Sequence, residues 1–238
     1  SEIRYEAMMA LAYGYKQLSY FTWFTPTKRA ETYTDGVISA EGIPNASIYD
    51  GICQLNSEVH GLGTVLIDLE AEEIYLNGQT WGQESIPEDF FVQPLDTANY
   101  TVSFLRNPDT ERNYLMVVNN MYDSETTVLL KPDSRITGFE TVSKQDGSLS
   151  NLPLNGDGNL ELTLAAGDGV LLALPEGLDF YEEKLTEQQP GENLARNAYI
   201  TADTSLGENN WYIANLNDGT RKSAGDSNGW RSAAGPIQ

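Results

Sequence analysis

The chain has 238 residues, a net charge of −21, 40% hydrophobic residues and 10% aromatic residues. This length fits one large domain or two ordinary ones, and the apolar content is sufficient for a packed core, which argues against wholesale disorder. The acidity argues against nucleic acid and anionic membrane surfaces as partners, because few cations are present to replace phosphate counterions. No apolar run reaches the ~18 residues of a membrane span, so we expect no membrane insertion.

Residues 2–69 follow a helix–strand–helix order. Residues 2–15 carry apolar residues at helical spacing and include Gly14 near their end, which predicts a helix with a glycine stop. Residues 17–24 are rich in aromatic and β-forming residues and precede Pro26, which predicts a short buried strand. Residues 45–69 return to helical spacing after a polar loop. This order is the repeating unit of an α/β barrel or a doubly wound sheet.

The pattern changes after residue 98, where short segments alternate with period two and are separated by turn residues such as Asp146-Gly147 and Asp157-Gly158. This spacing predicts an antiparallel β-sandwich. The predicted strands are 100–105, 114–119, 126–130, 136–142, 160–164 and 170–174.

Other residues lead to smaller predictions. The only cysteine, Cys53, lies in an apolar helical pattern and is expected to be a buried, unreactive thiol, and the only histidine, His60, cannot form a histidine-based metal site alone. The charged residues 70–73 indicate a solvated helix end. The charged residues 177–192 indicate a linker. Four of its apolar side chains could dock on a neighbouring surface: Leu178, Phe180, Tyr181 and Leu185.

Three stretches near the N-terminus resemble the end of the catalytic barrel of clan-A glycoside hydrolases, in particular β-galactosidase-like bacterial enzymes. They are residues 4–14 (RYEAMMALAYG), 18–26 (LSYFTWFTP) and 55–63 (LNSEVHGLG). The resemblance implies that they form the seventh helix, the eighth strand and the eighth helix of a (β/α)8 barrel.

Two later regions also resemble parts of such enzymes. Residues 114–120 (YLMVVNN) and 164–174 (LAAGDGVLLAL) are similar to the small β-sandwich that often follows these barrels. Residues 193–195 (NLA), 211–219 (WYIANLNDG) and 229–232 (GWRS) resemble the start of a discoidin-type carbohydrate-binding module. Such modules are considerably longer than residues 193–238, so we expect the chain to be a piece of a longer protein.

The expected fold class is therefore α+β and multidomain. It comprises a partial (β/α)8 barrel fragment over residues 1–80, an antiparallel β-sandwich over 81–176, a linker over 177–192, and a truncated β jelly-roll module over 193–238.

The resemblance implies hydrolysis of O-glycosyl bonds, which requires two carboxylates that flank the scissile bond. In the family these carboxylates lie at the ends of the fourth and seventh barrel strands, and both strands would precede Ser1. Glu2 and Glu6 are interpreted as solvated carboxylates at a helix start. We therefore assign no catalytic residue to this chain and expect it to be inactive alone.

Trp23 is the first candidate for substrate binding, because it lies where a barrel strand would meet its loop, the face that carries the site in such enzymes. An indole face matches the C–H face of a pyranose, and its N–H can donate a hydrogen bond. Tyr20 is a second candidate for the same cavity. The alternative is that Trp23 is a core residue among Tyr20, Phe21 and Phe24.

A structural Ca²⁺ is the only ion that the resemblance implies, and no cofactor is expected to be required. Its candidate ligands are Asp218, Asn215 and Thr220, with Ser227 or Asp226, since Ca²⁺ takes six to eight oxygen ligands. The alternative is an ordinary Asp-Gly turn at Asp218.

The expected partner is an oligo- or polysaccharide, and the expected location is outside a bacterial cell, secreted or at the surface. Two alternatives stay open. The protein could be a non-catalytic carbohydrate-binding or adhesion protein, or the sandwich could only brace the barrel without touching a ligand. The sequence does not indicate the oligomeric state.

Overall fold

The computed structural model describes residues 2–27, 33 and 36–181, together with the backbone of three short strands at 198–202, 211–215 and 221–223. The chain divides into two compact units, Ser1–Tyr181 and Glu182–Gln238. Among the described residues, no helix is both long and apolar enough to cross a lipid bilayer.

The first unit begins with two helices, α1 (Glu2–Ala12) and α2 (Tyr49–Leu66), so both predicted helices are confirmed. Gly14 ends α1 as expected: its φ is 80°, and the amides of Gly14 and Tyr15 bond back to the carbonyls of Leu11 and Ala10, each at 3.0 Å. Lys16 donates hydrogen bonds to carbonyl oxygens at the end of α2, which ties the two helix ends together.

Nine strands of this unit form two antiparallel sheets. A six-stranded sheet has the order β1-β3-β4-β9-β6-β7, and a three-stranded sheet has the order β2-β5-β8. The strands are β1 (Glu70–Asn77), β2 (Val92–Pro94), β3 (Tyr100–Arg106), β4 (Asn113–Asn119), β5 (Thr126–Pro132), β6 (Gly138–Val142), β7 (Leu149–Pro153), β8 (Leu160–Leu164) and β9 (Gly169–Ala173).

The central strands of the six-stranded sheet, β3 and β4, are buried on both faces. Successive residues of β4 enter different cores: Leu115 and Val117 face the three-stranded sheet, whereas Met116 and Val118 face the helices. Every residue of β4 is buried, which explains its continuous apolar sequence. The unit therefore has three layers: a small sheet, a large sheet and a pair of helices.

The antiparallel, β-rich character is confirmed, since each of the six predicted strands lies within two residues of an observed one. The described residues form no closed barrel. The interpretation of residues 70–73 as a helix end was wrong, because they begin β1. This strand is an edge of the large sheet, where charged side chains remain in contact with solvent. The large sheet thus begins before residue 81.

The predicted strand over residues 17–24 was also wrong. This segment is irregular, and Phe24 alone forms an isolated bridge, to Ile38. A buried strand needs hydrogen-bonded neighbours on its sides, and among the described residues this segment has only the short stretch 36–38. Three of its aromatic side chains, Phe21, Trp23 and Phe24, consequently remain exposed, and Tyr20 is half-buried.

Cys53 is exposed, so the expectation of a buried thiol was wrong. The buried face of α2 contains Ile52, Leu55 and Leu62, and Cys53 lies outside that stripe.

The start of the predicted linker docks as anticipated. Leu178, Phe180 and Tyr181 pack against the core between the two sheets. Phe180 stacks on Phe91, with ring centroids 4.8 Å apart and an interplanar angle of 28°. Leu185 lies outside the described residues.

The second unit has a three-stranded antiparallel sheet among its described residues. It consists of β10 (Ala198–Ala202), β11 (Trp211–Asn215) and β12 (Arg221–Ser223), with β11 in the centre.

Candidate functional site

The segment that carries Tyr20 and Trp23 is held in place by backbone hydrogen bonds to residues 36–38. The amide of Thr25 donates to the carbonyl of Ile38 at 2.9 Å, and the amide of Ile38 donates to the carbonyl of Trp23 at 2.8 Å. Gly36 permits this approach, because a Cβ there would lie 2.6 Å from Thr25 Oγ1. The segment is irregular, yet its position is defined.

Tyr20, Trp23 and Tyr49 form a row of rings that we call the aromatic cluster. The ring centroids of Tyr20 and Trp23 are 6.5 Å apart with an interplanar angle of 49°, and those of Trp23 and Tyr49 are also 6.5 Å apart, at 53°. Trp23 is 43% exposed. Its ring is therefore accessible among the described residues of this chain.

Tyr20 is fixed to α2 by its hydroxyl, which donates a hydrogen bond to Asn56 Oδ1 at 2.7 Å. Partial burial raises the pKa of the Tyr20 phenol. The ring therefore stays neutral at physiological pH, and its hydroxyl oxygen can still accept a hydrogen bond.

A cleft of about 320 Å³ opens beside Tyr20, between the first turns of α1 and the start of α2. Its apolar wall includes Ile3, Val37 and Ile52, and its polar groups include Glu6, Ser19 and Thr22. Trp23 is not part of the lining, but its ring neighbours Tyr20 at the edge. Small-ligand sites commonly combine such an apolar lining with a few polar groups.

Glu6 was expected to be a solvated carboxylate, and its side chain is exposed. The Glu6 side chain also lines this cleft. This position was not predicted, because the helical spacing of α1 does not show that residues 18–22 lie beside it. Glu6 is the one carboxylate among the described residues that line the cleft. Hydrolysis of a glycosidic bond requires two carboxylates, and the described lining of this cleft supplies Glu6.

A network of four charged side chains lies on the same side of the unit and joins the helices to the large sheet. Arg4 contacts Glu58 through Nη1–Oε2 at 2.5 Å and Nη2–Oε1 at 3.1 Å, and its Nη1 donates to Asp168 Oδ1 at 2.9 Å. Lys144 Nζ contacts both oxygens of Asp168, at 2.6 and 2.7 Å. The members are far apart in sequence, so no local pattern predicted the network.

The network lowers the pKa of both carboxyl groups. Burial alone would raise the pKa of Asp168, but the hydrogen bond and charge of Lys144, together with Arg4, outweigh it and leave the pKa below its usual value. In the same way, burial would raise the pKa of Glu58, but hydrogen bonds from Arg4 and Gln54 lower it. Both side chains are therefore ionised at neutral pH.

The predicted calcium ligands all belong to the second unit. Asp218 and Thr220 lie outside the described residues, as do Asp226 and Ser227, and for Asn215 only the backbone of β11 is described. Within the described part of the chain, no group of three or more His, Cys, Asp or Glu side chains could hold a metal ion.

Comparisons of the chain with protein-family models, with curated proteins and with solved structures found no match.

Proposed function

We propose that this chain is part of a secreted or surface-bound bacterial glycoside hydrolase and that the aromatic cluster contributes to its binding of an oligo- or polysaccharide. The observation that carries the proposal is the partly exposed row of Tyr20, Trp23 and Tyr49 beside a cleft with carboxylate and hydroxyl groups. Aromatic faces bind the C–H faces of a pyranose, while the polar groups bond to its hydroxyls.

In this proposal, α1, the segment 17–24 and α2 are the last elements of the catalytic barrel, and the two-sheet unit is the sandwich that follows it. The catalytic pair belongs to barrel strands outside this chain. The proposed module at residues 193–238, with a structural Ca²⁺, would add a second contact with the polysaccharide.

The same observation favours a second candidate, a carbohydrate-binding or adhesion protein without hydrolytic activity, since a binding surface needs no carboxylate pair. The reading frame that encodes the chain distinguishes the two candidates. Glutamates at the ends of a fourth and a seventh barrel strand upstream of Ser1 would favour the hydrolase, and other residues at both positions would favour the binder.

Calorimetric titration of the 238-residue chain with neutral oligosaccharides tests sugar binding itself. A panel of galacto-, cello- and xylo-oligosaccharides covers the common pyranose geometries. We expect Trp23→Ala to weaken the affinity for the best ligand at least tenfold, because the stacking face is lost.

The matched control is Trp81→Ala. Trp81 is 59% exposed but belongs to the stretch after β1, so its removal should leave the affinity unchanged. No heat of binding with any member of the panel, or equal losses in the two variants, would contradict the proposal.

A further inference from the structure

A second and larger cleft, of about 790 Å³, lies beside the first one. Its floor comes from the first turns of α1 and α2, and its outer wall from the turns that follow β4 and β8. Its polar side chains include Ser47, Gln54 and Asp123, and it also carries the ring of Tyr122. Tyr122 is 47% exposed, so its ring is accessible to a ligand.

The two clefts share one wall. Ile3, Ile48 and Ile52 line both of them, so the clefts lie on either side of the same apolar ridge. A ligand that leaves the first cleft at Tyr20 can cross this ridge and reach Tyr122 without leaving the protein surface. An aromatic ring at each end and an apolar strip between them suit a chain of pyranose rings, each of which has apolar faces.

The outer wall of the second cleft is held firmly in place by Asn119. Its Nδ2 donates to the carbonyls of Ser124 at 2.8 Å and Ala165 at 3.0 Å. Its Oδ1 accepts from the amide of Met121 at 2.9 Å and from Thr126 Oγ1 at 2.8 Å. The side chain is fully buried, and these bonds fix both turns that form the wall. A prearranged wall loses little conformational freedom when a ligand binds.

Charge restricts the class of ligand. Among the described residues that line the two clefts, the acidic side chains are Glu2, Glu6, Glu58, Asp123 and Asp168. The one cation of this described lining, Arg4, is already bonded to Glu58 and Asp168. Uronic acids and sulfated sugars would bring like charges next to these carboxylates, whereas neutral sugars would not.

We infer that the two clefts form one extended groove for a neutral oligosaccharide, with Tyr20 and Trp23 at one end and Tyr122 at the other. This inference rests on the proposed function and specifies its ligand: a neutral chain long enough to contact both rings.

The test uses the 238-residue chain and a size series, from the disaccharide to the hexasaccharide, of the neutral sugar that binds best in the panel above. Affinity should increase with chain length until the ligand spans the groove. Tyr122→Ala should weaken the affinity for the hexasaccharide about tenfold and change the affinity for the disaccharide less than twofold. Trp23→Ala should weaken the affinity for both the disaccharide and the hexasaccharide. Galacturonic-acid oligomers of the same lengths should bind at least tenfold more weakly.

A second variant guards against a folding defect. Asp123→Asn keeps the shape of the side chain but removes its charge. It should increase the affinity for galacturonic-acid oligomers while the unfolding temperature stays unchanged.

The outcomes distinguish a failure of the groove from a failure of the proposed function. No binding of any sugar would overturn both the groove and the proposed function. Binding that depends on Trp23 but not on ligand length or Tyr122 would overturn the groove alone.

Discussion

Gly61 is the point at which α2 meets the turn between β6 and β7. A Cβ built on Gly61 would lie 2.5 Å from the carbonyl carbon of Lys144 and 2.8 Å from that of Gln145. Carbon atoms normally approach to about 3.5–4.0 Å, so Gly61→Ala would force these two backbones apart by about 1 Å. Alanine raises helix stability by about 1 kcal/mol over glycine, but overpacking of a tight contact costs about 1–3 kcal/mol, and backbone atoms adjust less easily than side chains.

We therefore expect Gly61→Ala to lower the free energy of unfolding by about 1–2 kcal/mol, a fall of about 2–8 °C in melting temperature for a unit of this size. Gly63 is the matched control, because it lies in the same helix and a Cβ there meets nothing within 4 Å. Gly63→Ala should raise the melting temperature by about 2–4 °C. Thermal unfolding followed by circular dichroism measures both. If Gly61→Ala stabilises the protein as Gly63→Ala does, α2 does not dock on this turn.

Asn119 and the charged network of Arg4, Glu58, Lys144 and Asp168 hold the turns and layers of the first unit together. Asn119→Ala should lower the free energy of unfolding, measured in urea, by about 3 kcal/mol, because it leaves buried backbone groups without partners. The control, Asn151→Ala, lies on the exposed strand β7 and should change this free energy by less than about 0.5 kcal/mol. Equal effects of the two variants would contradict the role of Asn119. In the folded chain, the pKa values of Asp168 and Glu58 lie below those of the unfolded chain, which are about 3.9 for Asp and 4.3 for Glu. These carboxylates therefore stabilise the fold fully at a pH above the unfolded pKa values. This stabilisation is lost as the pH falls through the folded pKa values. Asp168→Asn should therefore lose stability at pH 7 and show a weaker acid dependence in urea unfolding between pH 5 and pH 2 than the unmodified chain, and an unchanged acid dependence would refute the network.

Secondary structure was predicted correctly from the sequence where the local hydrophobic pattern agrees with the burial of the side chains. The period-two segments between residues 98 and 175 predicted six strands correctly, because turn residues separate them and each buries a defined set of side chains. Gly14 correctly marked the end of α1, since a positive φ at that position favours glycine.

The failures have a common physical cause. Residues 17–24 have the composition of a strand, but strands exist only when neighbours pair with them, and composition does not show whether a neighbour is present. Residues 70–73 have the composition of a helix end, but pairing with β3 makes them an edge strand. In both cases, tertiary pairing overrode a local preference.

The candidate site was only partly predictable. Trp23 and Tyr20 were named as candidates because the resemblance to a barrel places them where a strand meets its loop, and the structure places their rings next to each other. Tyr49 and Glu6 were missed, because each reaches the site from a separate helix. Tyr122 was missed as well, since it lies in a turn after β4 that is distant from α1 in sequence but lines the same cleft.

If a sugar binds against the Trp23 indole, the indole N–H signals of the protein report on the binding directly. The chain has four tryptophans, so a ¹H–¹⁵N spectrum shows few indole signals, and the spectrum of Trp23→Ala assigns the relevant one. Titration with the best neutral oligosaccharide should shift the Trp23 signal in a saturable manner and leave that of Trp81 in place. A Trp23 signal that stays unmoved while the sugar reaches saturation would contradict the account.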